Sequence, residues 1–273
     1  MTEVKPDPPW VVIPSACDGP AGLTRVPDLG VDVTITDPPY SPKTHEAQRR
    51  GHIGHEKGKG RASFNRSTDL GFEALTPGLR AVVAGELARI TRRWVLVFTD
   101  AEGTRGWIDA LEGAGLEHVR VGCWVKIGST PQFTGDRPAS GHEEIVIAHR
   151  PGKKRWHGGG QHAVWTVPIA LDRGGKGKRL HTTQKPLALM ETLVRLFSDP
   201  GELIADPFTG SGTTGVAAVR LGRRFVGWEK LEKYAAAASK RLEATRYQPE
   251  LFATKAPRRR EKQADLFSAG KTE

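Results

Sequence analysis

Two short stretches place acids where chemistry could occur. The first, TITDPPY at 34–40, runs alternating apolar and hydroxyl residues into Asp37, Pro38, Pro39 and Tyr40. Proline fixes φ and has no N–H to donate, so the pair holds whatever surrounds Asp37 in one direction. Read alone, the stretch is a strand ending in a rigid structural turn or the wall of a catalytic pocket. The second, DPFTGSGTTG at 206–215, follows a strand and opens a helix. Gly210 and Gly212 allow backbone to approach a ligand where a Cβ would block it. The helix start at Thr213–Thr214 presents free N–H groups to an anionic or carboxylate end. No Gly-Lys-Ser/Thr follows the glycines, so this is not a Walker A loop. Gly210, Gly212 and Gly215 match Gly-x-Gly-x-x-Gly in letters, a common pattern. Glu229 ends the next strand, where an acid can accept hydrogen bonds from ribose hydroxyls; a helix cap is the other reading. Asp206 stands at the carboxyl end of its own strand, where open α/β sheets bind ligands.

Strands and helices must carry these residues. VDVTITD (31–37), WVLVFTD (94–100), HVRVGCWVK (118–126), EEIVIAHR (143–150), GELIADPF (201–208) and RRFVGWE (223–229) read as strands. Helices are expected over 76–93, with Pro77 in the first turn, over 105–115, 185–198 and 209–222, and over about 230–245. This alternation predicts an α/β fold with a mostly parallel sheet covered on both faces. The strands at 118–126 and 143–150 have no helix between them and suit an antiparallel pair at one edge. The tail 249–273 has few apolar residues and is expected to be disordered.

The chain of 273 residues is 37% hydrophobic and 26% charged, an ordinary globular composition. No apolar run is long enough to span a membrane, and MTEVKPDPPW is not a signal peptide. Cys17 and Cys123 cannot build a disulfide framework, so a cytoplasmic, reducing location is expected. The net charge of +10 suits a polyanionic partner. Residues 41–61 hold six Lys/Arg against two acids, and residues 150–180 hold eight against one. Both stretches lack periodicity and read as loops, where binding residues tend to sit. His52 and His55 lie in such a loop without matching thiols; no metal site is expected, and contact with a polyanion is the better account.

The order of the motifs resembles the beta class of DNA amino-methyltransferases, in which Asp-Pro-Pro-Tyr precedes Phe-x-Gly-x-Gly. TDPPY (36–40), HTTQKPLALMETLVRLFSDPGELIADPFTGSGTTGVAA (181–218) and RRFVGWEKLEKYAAAASKRL (223–242) carry the likeness. It implies a Rossmann-like methyltransferase fold with a seven-stranded, mostly parallel sheet and one antiparallel edge strand. It implies one catalytic domain over 1–248, with 151–180 as a basic target-recognition insert. S-adenosylmethionine is the implied cofactor and the amine of a base in double-stranded DNA the acceptor. Asp37 and the Pro38 carbonyl would accept the two N–H groups of that amine, aimed by the prolines. Tyr40 would stack on the extruded base. Asp206, Phe208, Thr209, Gly210, Ser211, Gly212, Thr213 and Glu229 would line the cofactor, with Lys185 of TQKP on its carboxylate. Lys153, Lys154, Arg155, Arg173, Lys176, Lys178 and Arg179 would contact DNA, mostly at phosphates.

Asp37 at the head of the motif favours the N6 amine of adenine; N4 of cytosine is the first alternative, since those relatives more often carry Ser there. A non-catalytic DNA-binding protein on the same scaffold, or methylation of RNA or protein, are the rivals. Many relatives have an acid in a Gly-Asp-Cys stretch upstream; here Ala16 precedes Cys17 and Asp18 follows it, so Asp18 is a shifted replacement or an ordinary turn residue. A homodimer and a separate cognate restriction nuclease are partners left open.

Overall fold

The alternation in TRRWVLVFT decides how the sheet is packed. Val95 and Val97 belong to one face and Leu96 and Phe98 to the other, and all four are fully buried. Alternate strand residues face opposite sides, so a strand apolar at every position needs cover on both. On one side Leu96 and Phe98 pack with Val33 and Ile35 against Leu189, Leu193 and Val216. On the other, Val95 and Val97 pack with Val83, Leu87, Trp107 and Leu111.

The structure, a computed structural model, describes residues 8–18, 22–40, 75–129, 131, 135–169 and 184–246. The loop 41–61, Arg173, Lys176, Lys178, Arg179, Thr183 and the tail 249–273 lie outside the described residues. The strands are β1 (Trp10–Ile13), β2 (Val31–Thr36), β3 (Thr91–Thr99), β4 (Glu117–Ile127), β5 (His142–His149), β6 (Val164–Pro168), β7 (Leu203–Asp206) and β8 (Arg224–Trp228). The α-helices among the described residues are α1 (Pro77–Ile90), α2 (Ala101–Gly113), α3 (Leu187–Phe197), α4 (Thr213–Arg220) and α5 (Glu232–Arg246). The sheet order is β1-β8-β7-β2-β3-β5-β4-β6. Only β5 runs against its neighbours, β3 and β4; the other pairings are parallel.

The α/β architecture is as the sequence implies, with three differences of detail. The sheet has eight strands rather than seven. The antiparallel strand is internal, because β6 adds outside β4 and runs parallel to it. Thirdly, β6 falls inside the basic, Gly-rich stretch read as loop; its buried Trp165 sits opposite Trp124 on β4. Helix α1 begins at Pro77, capped by Thr76, whose hydroxyl accepts from the Leu79 N–H. It stops at Ile90, so Thr91–Arg93 belong to β3, where Arg92 pairs with Asp32 and Arg93 with Glu202. Helix α2 starts at Ala101 because Asp100 caps it, accepting from the Gly103 N–H at 2.7 Å.

The topology brings the carboxyl ends of β2, β3, β7 and β8 and the amino end of β5 to one edge. Thr36 ends β2 beside β7, Thr99 pairs with Glu144, and Asp206 pairs with Gly227. Gly227 has no room for a side chain: a Cβ there would lie 2.0 Å from Thr209 Oγ1 and 2.8 Å from the Phe225 ring. Gly227→Ala is therefore expected to destabilise the fold by about 1–3 kcal/mol through overpacking. A urea denaturation series reads this as a lowered midpoint at unchanged slope; an unchanged midpoint contradicts the close approach.

Candidate active site

The site assembles around a buried acid that braces its wall. Asp206 ends β7 with 2% of its surface exposed. Its Oδ1 accepts from Thr36 Oγ1 at 2.9 Å and from the Phe208 N–H at 3.1 Å. Its Oδ2 accepts from Thr214 Oγ1 at 2.6 Å. Asp206 thus ties the end of β2 to the glycine turn and to the first turn of α4. Burial, with the Asp37 charge adding, pushes its carboxyl up to about 6; the three donors hold it from rising further. Asp206 also lines the cavity where the resemblance implies a cofactor, and its three hydrogen bonds make it a brace of the wall there.

The turn beyond it is shaped by φ. Gly210 has φ +53° and Gly212 φ +81°, the left-handed region where side chains are strained. Glu229 closes the turn from β8: Oε2 accepts from the Gly210 N–H at 2.9 Å and Oε1 from the Leu231 N–H at 2.8 Å. Each oxygen keeps a second lone pair for a further donor. Burial raises its pKa against those two N–H groups. Arg241 of α5 clamps the far side, donating to the Ser211 carbonyl at 2.5 Å and to Ser211 Oγ at 3.0 Å. Thr209 is buried and donates to the Asp206 carbonyl at 2.8 Å.

Asp37 faces the same cavity, of about 320 Å³, which Phe208, Gly210, Thr213 and Glu229 also line. Its Oδ2 accepts from Lys185 Nζ at 2.5 Å. Its Oδ1 is out of contact with solvent and has no hydrogen-bond partner among the described residues. The side chain as a whole is 24% exposed, against 8% for Lys185. The carboxylate torsion of aspartate is broad and two-fold, so a small turn presents either oxygen to a donor in the cavity. Burial raises the Asp37 pKa, the Lys185 charge pulls it back, and Glu143 pushes it up.

Behind this pair lies a cluster the sequence reading missed. Lys185 Nζ is 3.1 Å from Glu143 Oε2, which also accepts from the Tyr40 hydroxyl at 2.8 Å. Lys126 Nζ stands 2.7 Å from Glu143 Oε1. The ammonium of Lys185 lies 5.3 Å from the Tyr40 ring centre and 5.1 Å from that of Phe98. Burial works against the Lys185 ammonium, but the two carboxylates outweigh it and its pKa is raised. Burial likewise opposes the Glu143 carboxylate, and the two lysines outweigh it and lower its pKa. Removing one member of such a buried group strands a charge, at a cost of about 3–5 kcal/mol. Glu143 and Lys126 lie on β5 and β4, and only the sheet register brings them to TDPPY; no local spacing signals them.

The expected residues therefore separate. Asp37, Pro38, Pro39, Tyr40, Phe208, Thr209, Gly210, Ser211, Thr213 and Glu229 all line one cavity, with Ala16, Cys17 and Asp18 on its wall. Gly212 stands behind the wall, where a Cβ would lie 2.9 Å from that of Ala238. Lys185 also lines it, but its ammonium sits on Asp37 rather than free for a cofactor carboxylate. Cys17 is buried, and burial pushes its thiol up to about 12, which suits a packed residue. Lys153, Lys154 and Arg155 are at the opposite end of the sheet. Lys154 pairs with Glu117 at the start of β4, and Arg155 pairs with Asp199, which precedes β7. The Arg155 carbonyl accepts from Trp94, near the start of β3. The basic stretch splits because 150–163 crosses the far end of the sheet before β6 returns.

A family model described as DNA methylase matches residues 31–240. The type II methyltransferase M2.DpnII of Streptococcus pneumoniae is 29% identical over 245 residues, 81% of this chain and 86% of that protein. The type II methyltransferase M.HinfI of Haemophilus influenzae is 28% identical over 172 residues, 55% of this chain; the match spans 48% of that protein's length. The structure of M1.HpyAVI in complex with SAM aligns with a TM-score of 0.57 at 26% identity, covering 78% of this chain and 88% of that one. The cytosine-N4-specific PvuII DNA methyltransferase aligns at 0.61 over 89% of this chain and 94% of its own, and at 13% identity shares the fold alone. The chain belongs to the DNA methylase family of S-adenosylmethionine-dependent N6-adenine and N4-cytosine methyltransferases.

Proposed function

We propose that this chain transfers a methyl group from S-adenosylmethionine to the N6 amine of adenine in double-stranded DNA, and that residues 1–248 form the one catalytic domain. The observation that carries the reading is the incompletely satisfied carboxylate of Asp37 in the wall of the cavity closed by the glycine turn. When bound, the cofactor supplies an electrophilic methyl group on a sulfonium centre. The glycine turn and Glu229 fit its body: the left-handed Gly210 leaves open space at the cavity wall, and the Glu229 oxygens keep lone pairs for ribose hydroxyls.

The chain's residues must make a poor nucleophile reactive. The lone pair of an aromatic amine is delocalised into the ring. Asp37 accepts one N–H and the Pro38 carbonyl the other, which favours tetrahedral nitrogen and points its lone pair away from both. A bound methyl donor would supply its methyl carbon to that lone pair and leave as a neutral thioether, and Asp37 would hold the amine's surplus proton on its hydrogen bond. No covalent enzyme intermediate is needed; this is preorganised electrostatics. Tyr40 gives the extruded base a face to stack on, worth about 1–3 kcal/mol.

Adenine rests on aspartate at the head of the motif. Cytosine N4 offers the same pair of N–H donors, so mass spectrometry of nucleosides from methylated DNA separates the two. N4-methylcytosine alone overturns the adenine reading, and label that resists DNase points to RNA or protein. DNA contact now rests on Arg173, Lys176, Lys178 and Arg179, which follow the site end of β6 in the chain.

Asp37→Ala is expected to lower the transfer rate by at least about 10²-fold, as loss of a positioned proton acceptor does. Cofactor affinity, read by calorimetry, should stay within about three-fold, or ~0.7 kcal/mol. Retained transfer removes Asp37 from the reaction. Glu229→Ala is expected to weaken cofactor binding about ten-fold or more, since a charged hydrogen-bond acceptor contributes about 1.5–3 kcal/mol. An unchanged dissociation constant shows that Glu229 serves the fold alone.

A further inference from the structure

We infer that Glu143 is a positioning residue: with Lys126 behind it, it anchors Lys185 and Tyr40, and through Lys185 it sets the charge and orientation of Asp37. The inference rests on Asp37 being the amine acceptor. Its basis is geometry. One carboxylate on β5 takes two ammoniums and a hydroxyl, with Lys126 on Oε1 and Lys185 and Tyr40 on Oε2. Both Glu143 oxygens are occupied, so its work is done through neighbours.

The consequence is a division of labour between the two Asp37 oxygens. Lys185 cannot leave Oδ2 without giving up a buried ion pair, because Glu143 holds the ammonium from the other side. One oxygen of Asp37 is thereby committed, and the other, buried and without a partner among the described residues, meets the amine after a small turn of the carboxylate about that ion pair. An ionised carboxylate is an acceptor only, whereas its protonated form carries a donor, so Asp37 must stay charged for the geometry to work. The Tyr40 ring is fixed by the same residue, because its hydroxyl ends on Glu143. The base-stacking face and the amine acceptor thus share one anchor.

The charges around Asp37 fix the signs of a test. Facing it are Lys185 from the entry to α3, Tyr40 from its own turn, Glu143 from β5 and Asp206 from β7, with Lys126 of β4 behind Glu143. Asp37, Glu143, Lys126 and Lys185 sum to zero. Lys185→Met removes the charge that favours ionised Asp37, and Glu143→Gln removes one that opposes it. The two variants must move the Asp37 titration in opposite directions.

The experiment is a carboxyl 13C NMR titration of protein labelled at aspartate, with Asp37 assigned from the spectrum of Asp37→Asn. Lys185→Met is expected to raise the Asp37 pKa and Glu143→Gln to lower it, each by about one unit, the low end for a nearby charge. The acid limb of the single-turnover methyl transfer rate should move the same way in each variant. Glu143→Gln should also slow transfer at its optimum by about ten-fold, as loosened positioning does, with cofactor affinity unchanged. If Glu143→Gln does not fold, Glu143→Gln with Lys126→Met keeps the cluster neutral and is expected to lower the Asp37 pKa by less, because the more distant Lys126 charge is lost with it. Shifts in one direction, or none, overturn the inference while leaving Asp37 in its role. Undiminished methyl transfer by Asp37→Asn removes Asp37 from the reaction and, with it, the reading on which the inference rests.

Discussion

A carboxylate withdrawn from water must be compensated, and this site withdraws four of them wholly or in part. The cost of an uncompensated buried charge exceeds what a marginally stable fold can absorb. Asp206 meets it with three neutral donors, two threonine hydroxyls and an N–H. Glu229 meets it with two backbone N–H groups from the segments it joins. Glu143 meets it with two ammoniums and a phenol. Asp37 alone is short, with one oxygen on Lys185 and the other without a partner. Three acids hold the walls together, Glu229 with lone pairs to spare, and the fourth keeps a buried acceptor without a partner among the described residues.

This ranking explains what the sequence shows and what it hides. TDPPY and the glycine turn are legible because their chemistry is local: prolines fix φ within the motif, and Gly210 and Gly212 supply left-handed backbone where it is needed. The strand–helix alternation is legible for the same reason, since buried strands announce themselves by unbroken apolar runs. Glu143 is not legible. Its stretch, HEEIVIAH, reads as a strand with polar residues at its start, and nothing in it says that Glu143 meets Lys185 while Glu144 pairs with Thr99. That depends on the register of an antiparallel strand against β3. Nor are the roles of Asp206 and Lys185 legible: the motif puts each at the cavity but does not say which neighbour takes its charge. Strands β1 and β6 lie at the two edges of the sheet and bury little, Trp165 being their one buried residue, so they lack the buried run that marks β7 and β8.

The internal, antiparallel β5 imposes the rest. It enters at the site end, which delivers Glu143, and therefore leaves at the far end, at His149. The chain must return before it can supply Lys185. Residues 150–163 make the crossing at the far end, which is why Lys154 and Arg155 end up paired with Glu117 and Asp199 there. Strand β6 then runs back up beside β4, from Val164 opposite Cys123 to Pro168 opposite Ile127. Helix α3 descends from Lys185, and β7 climbs again to Asp206. The eighth strand follows from that reversal. Strand β6 carries the chain back to the end of the sheet where Lys185 meets Asp37.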